Sequence, residues 1–350
     1  MSEPKLLRLP ALRRFAAAIT VLNVVGHTVL GFEQSWVTPL VGLAVAYAME
    51  LSLEALEAWR TGQRPRFLGP GTTFVDFLLS AHITGLAVSM LVYAGERLWP
   101  VAFGTAVAVA SKHLLRVRVG SGSRHFLNPS NTGITATLLL FPSVGGAPPY
   151  MFTEKLGFVG SLVLPLIMIS AGSFLNARFT HKLPLIGGWL GGFALQAAVR
   201  HALLGNALIG SLLPMTGVAF LLFTFYMVTD PATSPTAWRR QIIFGGAVAA
   251  TYALLVAFHV VFGLFFALTL VCCGRGALLH FQPLAALRRH TARLAAGPLP
   301  AAGLASPSLR GGEAASFAQV ESQPAAEPAA AEVATAMATT AGMSTARIGG

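Results

Sequence analysis

The sequence predicts an all-α fold: a polytopic membrane helix bundle of about ten transmembrane helices, followed by a disordered C-terminal tail. Three observations carry that expectation. Ten apolar stretches lie between Phe15 and about Arg275, and the cations gather in every second gap between them. Beyond about residue 282 the composition turns to Ala, Pro, Ser, Gly and Glu without apolar periodicity, so that segment cannot bury enough surface to fold. The chain therefore divides into a cytoplasmic N-terminus (1–14), a transmembrane domain (15–282) and an Ala/Pro-rich cytoplasmic tail (283–350).

The expected spans are 15–31, 38–55, 76–94, 98–111, 126–142, 157–176, 184–204, 211–229, 241–257 and 260–274. Most approach the roughly 20 residues that cross a hydrocarbon core, while the fourth, fifth and tenth are short or interrupted. Lys5, Arg8, Arg13 and Arg14 precede the first span, as in a secretory leader. The bulky, acidic Gly31-Phe32-Glu33-Gln34 follows it where a leader has a small-residue cleavage site, so it reads as a retained helix. All but three of the 24 Lys and Arg residues fall on one side of the spans; Arg97, Lys155 and Arg200 are the exceptions. The positive-inside rule makes the basic side cytoplasmic, and an even span count puts both termini there.

The same distribution accounts for the net charge of +11: with 11% charged and 54% hydrophobic residues there is no continuous basic face for a nucleic acid. The expected partner is the lipid bilayer. Cys272 and Cys273 are adjacent near the end of the last span, where they suit packing rather than a disulfide or a four-ligand metal site.

Two breaks in the apolar pattern carry chemistry. Lys112, Arg116, Arg118, Arg124 and His125 lead into Phe126-Leu127-Asn128-Pro129-Ser130-Asn131. There Asn128 reads as an N-cap and Pro129 as the first helical residue. Such a helix start, flanked by cations, suits a phosphate or carboxylate; an ordinary capped helix beside a basic loop is the plainer reading. The second break, Thr229-Asp230-Pro231-Ala232-Thr233-Ser234-Pro235, follows the aromatic run Phe220–Tyr226. Pro231 must stop the helix, and Asp230 serves either as a cap or as an oxygen ligand for Na⁺ or a proton.

These two motifs resemble the RnfD and NqrB membrane subunits of the Rnf and Na⁺-translocating NADH:quinone reductase complexes over roughly residues 75–275. A closer likeness, to the UnbU proteins of enediyne biosynthesis clusters, rests on four stretches: Leu12–Ala16, Gly26–Trp36, Ser123–Asn131 and Ser173–Thr180. The resemblance implies an RnfD/NqrB-like helical scaffold, flavin mononucleotide as a cofactor, and electron flow coupled to ion movement with redox or biosynthetic partner proteins. The Ser/Thr-Gly-Ala-Thr motif that attaches flavin in those subunits is missing; Thr132-Gly133-Ile134-Thr135 is the nearest string and lies inside a helix. Any flavin is therefore expected to be noncovalent, held by Lys112, Arg124, Asn128, Ser130, Asn131 and Thr229.

Ionisable residues within spans are expensive and tend to mark pathways. Those expected on an ion or proton path are Asp230, Asp76, Glu50, Glu54, His82 and His27. Glu50 with Glu54, and Asn23 with His27, are four apart and must share a helix face. His27, His201 and His259 near the outer ends raise the possibility of bis-histidine haem, although no spacing demands it. No Ser/His/Asp order, HExxH, paired CxxC or phosphate-binding glycine loop is present, so hydrolytic and nucleotide-driven chemistry has no support and no catalytic residue is assigned. The sequence leaves two functional expectations: a noncatalytic redox or ion-coupling subunit, and a cofactor-free solute or ion transporter on the same scaffold, whose small-residue stretch Gly187–Gly192 permits close helix approach.

Overall fold

The computed structural model describes residues 5–69, 73–119 and 122–295. It is a bundle of helices: α1 (Lys5–Val25), α2 (Val37–Thr61), α3 (Phe74–Leu91), α4 (Trp99–Leu114), α5 (Pro129–Leu140) and α6 (Phe158–Leu175) are joined by α7 (Leu183–Leu204), α8 (Leu208–Leu212), α9 (Val218–Leu222), α10 (Trp238–Ala257) and α11 (Gly263–Ala295). Six helical stretches are long and apolar enough to cross a membrane, and the number reaches seven if Leu208–Thr216 and Val218–Met227, bent by 66° at Gly217, form one broken span. The 16-residue α4 and 12-residue α5 fall short of the needed length. In α7, four glycines, Gln196 and Arg200 dilute the apolar character.

Both ends of the apolar domain differ from the boundaries read from composition. Helix α1 begins at Lys5, within the expected N-terminal segment, and α11 continues through Ala295. The expected tail otherwise lies at 296–350, outside the described residues.

Two small antiparallel sheets sit between helices. Strand β1 (Val92–Tyr93) pairs with β4 (Gly145–Gly146), while β2 (Arg116–Val119) and β3 (Gly122–His125) form a hairpin with Arg116 opposite His125 and Val117 opposite Arg124. The hairpin replaces the basic loop expected there. Alternating Arg and Val in β2 explains it, because Val117 is buried while its neighbours are exposed.

The bundle is held by close helix approach and an aromatic core. Helices α7 and α10 touch through Gly188 and Gly245; a Cβ on Gly245 would lie 2.6 Å from the backbone nitrogen of Trp189. Trp189 is fully buried among Phe193, Phe220, Phe223 and Tyr252, and its Nε1 donates to Thr224 Oγ1 at 2.9 Å. An unpartnered indole N–H buried there would cost about 1–3 kcal/mol.

Three helices run into π turns, at Gly26–Leu30, Asn176–Thr180 and Phe223–Met227. A π turn widens the helix and displaces carbonyls from the regular ladder, so side chains must satisfy them. Asn176 does so across the bundle: its Nδ2 donates to Gly172 O and to Phe225 O, both at 2.9 Å, tying the second π turn to the third. Thr180 Oγ1 donates to Asn176 Oδ1 at 2.8 Å and fixes the amide's orientation.

Candidate functional site

The two proline motifs meet. Asn128 caps α5 as expected, with Oδ1 accepting the backbone N–H of Asn131 at 2.9 Å. Its Nδ2 crosses to the other motif, donating to Met227 O at 3.2 Å and Asp230 Oδ2 at 3.4 Å. Asp230 does not start a helix. Pro231 ends the π turn's run, and the carboxylate folds the next four residues by accepting from Ala232 N–H at 3.0 Å and Thr233 Oγ1–H at 3.1 Å. Helix resumes only at Trp238.

These groups form the floor of a cavity of about 1010 Å³. Its long wall is one face of α1, from Leu9 to Val25, which spans about 24 Å at helical rise. Ile83, Ala87 and Met90 of α3, with Leu164, Ile167 and Met168 of α6, make the other apolar sides. Two of the three π turns contribute Phe179, Thr180, Tyr226 and Met227. The polar side chains at the floor are His125, Asn128, Ser130, His181, Thr229 and Asp230. The cavity opens sideways at Val21 and Ile167, which are 60% and 58% exposed.

Among the described residues, Asp230 is the only carboxylate on the lining, and no Lys or Arg lines it. His125 faces the same floor from β3. Burial is the main force lowering its pKa and keeping it neutral; the nearby Asp230 carboxylate opposes that, while Lys112, Arg116 and Arg124 reinforce it.

The residues expected around a flavin phosphate are not assembled. Lys112 is turned away, with Nζ donating to Glu50 Oε1 at 2.7 Å and Ser80 Oγ at 3.3 Å. Asn131 Nδ2 is committed to Phe265 O at 2.9 Å and Thr269 Oγ1 at 2.8 Å, holding α5 to α11. Thr229 Oγ1 donates to Phe225 O at 2.6 Å within its own helix. Arg124 lies on the hairpin rather than the lining. Of the six, only Asn128, Ser130 and Thr229 reach the cavity, where a phosphate would meet Asp230 instead of a cation. This lining does not fit a flavin phosphate.

The residues expected along an ion or proton path are also dispersed. Glu50 and Glu54 do share a face of α2, and both are buried, yet each has its own cation. Glu50 takes Lys112 and lies 3.4 Å from His113 Nε2. Glu54 accepts from the backbone N–H and from Nε of Arg66, both at 2.8 Å. That bond is the chief reason the Arg66 guanidinium is held even more firmly in its charged form. Asp76 receives Arg13 through two bonds of 2.8 Å and Thr73 Oγ1 at 2.7 Å. Glu50 and Glu54 lie within α2 and Asp76 in the first turn of α3, and each carboxylate is matched by its own partner.

His82 bridges three helices. Thr20 Oγ1 spends its proton on Ala16 O, so the 2.7 Å contact with His82 requires the ring's Nε2–H to donate. Nδ1 then accepts from Tyr47 O–H at 2.6 Å. In the π turn that follows α1, His27 Nδ1–H donates to Asn23 O at 2.9 Å and the ring packs 4.8 Å from Trp36. His201 Nδ1 meets the carbonyl of Asn206 at 2.7 Å. Among the described residues no three His, Cys, Asp or Glu side chains converge on a metal-sized site.

Sequence reasoning missed His125, Tyr226 and Thr180 as lining residues, although His125 stands in the same Ser123–Asn131 stretch that drew attention to Asn128. It also missed Arg13, Tyr47, Arg66 and His113 as partners, because these pairs lie 63, 35, 12 and 63 residues apart, beyond the reach of any helix-period signal. Comparison with protein-family models and with curated proteins finds no match, so the site is read from its own geometry.

Proposed function

We propose that the chain is a ten-span bacterial inner-membrane protein with both termini in the cytoplasm, built on an RnfD/NqrB-like scaffold and closest in kind to UnbU. Its cavity admits an amphipathic molecule from the bilayer, with the apolar body along α1 and the polar end on the Asn128–Asp230 floor. Of the two roles such a scaffold can serve, electron or ion movement and cofactor-free carriage, this reading favours carriage of a small solute. The observation that supports it is the pairing of a long apolar wall with a polar floor that, among the described residues, carries a carboxylate and no Lys or Arg. A role beside enediyne-type biosynthesis rests on the likeness of Ser123–Asn131 and its companion stretches.

Reconstituted proteoliposomes test the assignment. Carriage predicts movement of an amphipathic solute between leaflets without an electron donor, from protein whose absorbance shows no flavin or haem. Movement that requires a donor, or a stoichiometric flavin band in the purified protein, returns the assignment to the redox reading.

A further inference from the structure

The cavity's charge names its ligand more narrowly. Every other carboxylate on the expected path is matched by a cation: Glu50 by Lys112, Glu54 by Arg66 and Asp76 by Arg13. Asp230 has hydrogen-bond donors but, among the described residues, no Lys or Arg within ion-pairing distance. Its neighbour His125 is kept neutral by burial. The nearby Arg275 guanidinium donates to Thr233 O at 2.7 Å and does not line the cavity. Around the carboxylate the lining offers further acceptors, the hydroxyls of Ser130 and Tyr226, at the end of an apolar channel about 24 Å long. A negative charge of this kind, at the polar end of an apolar cleft, favours a positive head group and repels a negative one.

Resting on the proposed cleft, we infer that the site selects a lipophilic amine: a single apolar chain or ring system ending in a protonated nitrogen that donates to Asp230. A fatty acid, a phosphate ester or a flavin phosphate is the wrong charge for it. Asn128 has a positioning role, since its Nδ2 bond to Oδ2 aims the carboxylate while Oδ1 remains tied to the start of α5.

The test uses the full chain in lipid nanodiscs at neutral pH, with radiolabelled tetradecylamine, tetradecanol and tetradecanoic acid as probes and empty nanodiscs as background. The expected result is specific retention of the amine, on the order of tenfold tighter than the acid, with the alcohol between them. Asp230→Asn should remove the amine's advantage over the acid and the alcohol, because Asn keeps an oxygen for the Ala232 N–H but carries no charge. Leu22→Trp, which fills the channel from α1 without touching the floor, should abolish retention of all three probes. Equal retention of amine and acid, or an Asp230→Asn protein that keeps its amine preference, overturns the inference while leaving the cleft intact. Failure of all three probes to exceed empty nanodiscs overturns the cleft and the inference together.

Discussion

At the scale of the residue, the Glu50–Lys112 pair is the clearest case of a polar group whose purpose is packing. The Glu50 side chain is 3% exposed and Lys112 is 14% exposed. Removing one partner strands the other charge in a poor solvent, a loss of about 3 kcal/mol, whereas removing both costs far less. Thermal unfolding in detergent should therefore show Lys112→Met as strongly destabilised and Lys112→Met/Glu50→Gln as substantially restored; two additive losses would refute the account. His125 gives a pH signature of known sign. Its folded pKa lies below the ordinary 6.5, so its contribution is complete above about pH 6.5 and is lost as pH falls through the lower, folded value. Melting temperature should drop on acidification through this window, and His125→Gln should flatten the drop; an unchanged acid limb would show that His125 is not the group responsible. The capping role of Asn128 could be read from sequence because a cap and its N–H lie three residues apart. The bond from Asn128 to Asp230 could not, because it joins positions separated by 102 residues.

At the scale of the element, α7 and α10 show how small residues substitute for apolar area where lipid surrounds the helix. Between helices bathed in hydrocarbon, burial has little to gain over lipid contact, and close packing must supply the attraction. Gly245→Ala pushes a methyl into backbone atoms of α7 that have no rotamer with which to yield. A loss of about 1–3 kcal/mol is expected, measured as a lowered melting temperature, with Gly246→Ala as the control because open space surrounds that position. If the two variants melt alike, the close approach is not what holds the pair. The glycine-rich composition of α7 was visible in the sequence, but its partner was not. The π turns were equally hidden: Asn176–Thr180 carries no pattern that separates it from an ordinary polar helix end, and only the side-chain bonds of Asn176 and Thr180 reveal the altered ladder.

At the scale of the molecule, the weak point of a ten-span arrangement is α5. Its 12 residues rise about 18 Å, well short of a hydrocarbon core, unless Phe126–Asn128 and Phe141–Val144 complete the crossing. Replacing Cys272 and Cys273, then introducing Arg118→Cys or Glu154→Cys on either side of α5, turns this into a direct measurement. An impermeant thiol reagent on intact cells should label Glu154→Cys, and should label Arg118→Cys only after lysis. Labelling of both from outside would remove α5 from the spans and change the parity that places the termini together. The apolar stretches themselves were legible because hydropathy is local; how the broken stretch at Gly217 folds back, by 66°, depends on tertiary contacts and was not.

The sideways opening at Val21 and Ile167 determines what concentration means for this protein. A ligand entering between helices is drawn from the hydrocarbon phase, so occupancy follows its mole fraction in lipid and not its aqueous solubility. A sparingly soluble compound that partitions a thousandfold or more into the bilayer reaches the cleft already enriched by that factor, and a weak intrinsic interaction then suffices to fill it. Diluting the same protein with empty liposomes at constant total ligand should empty the site, even though the amount of protein and the volume of water stay the same.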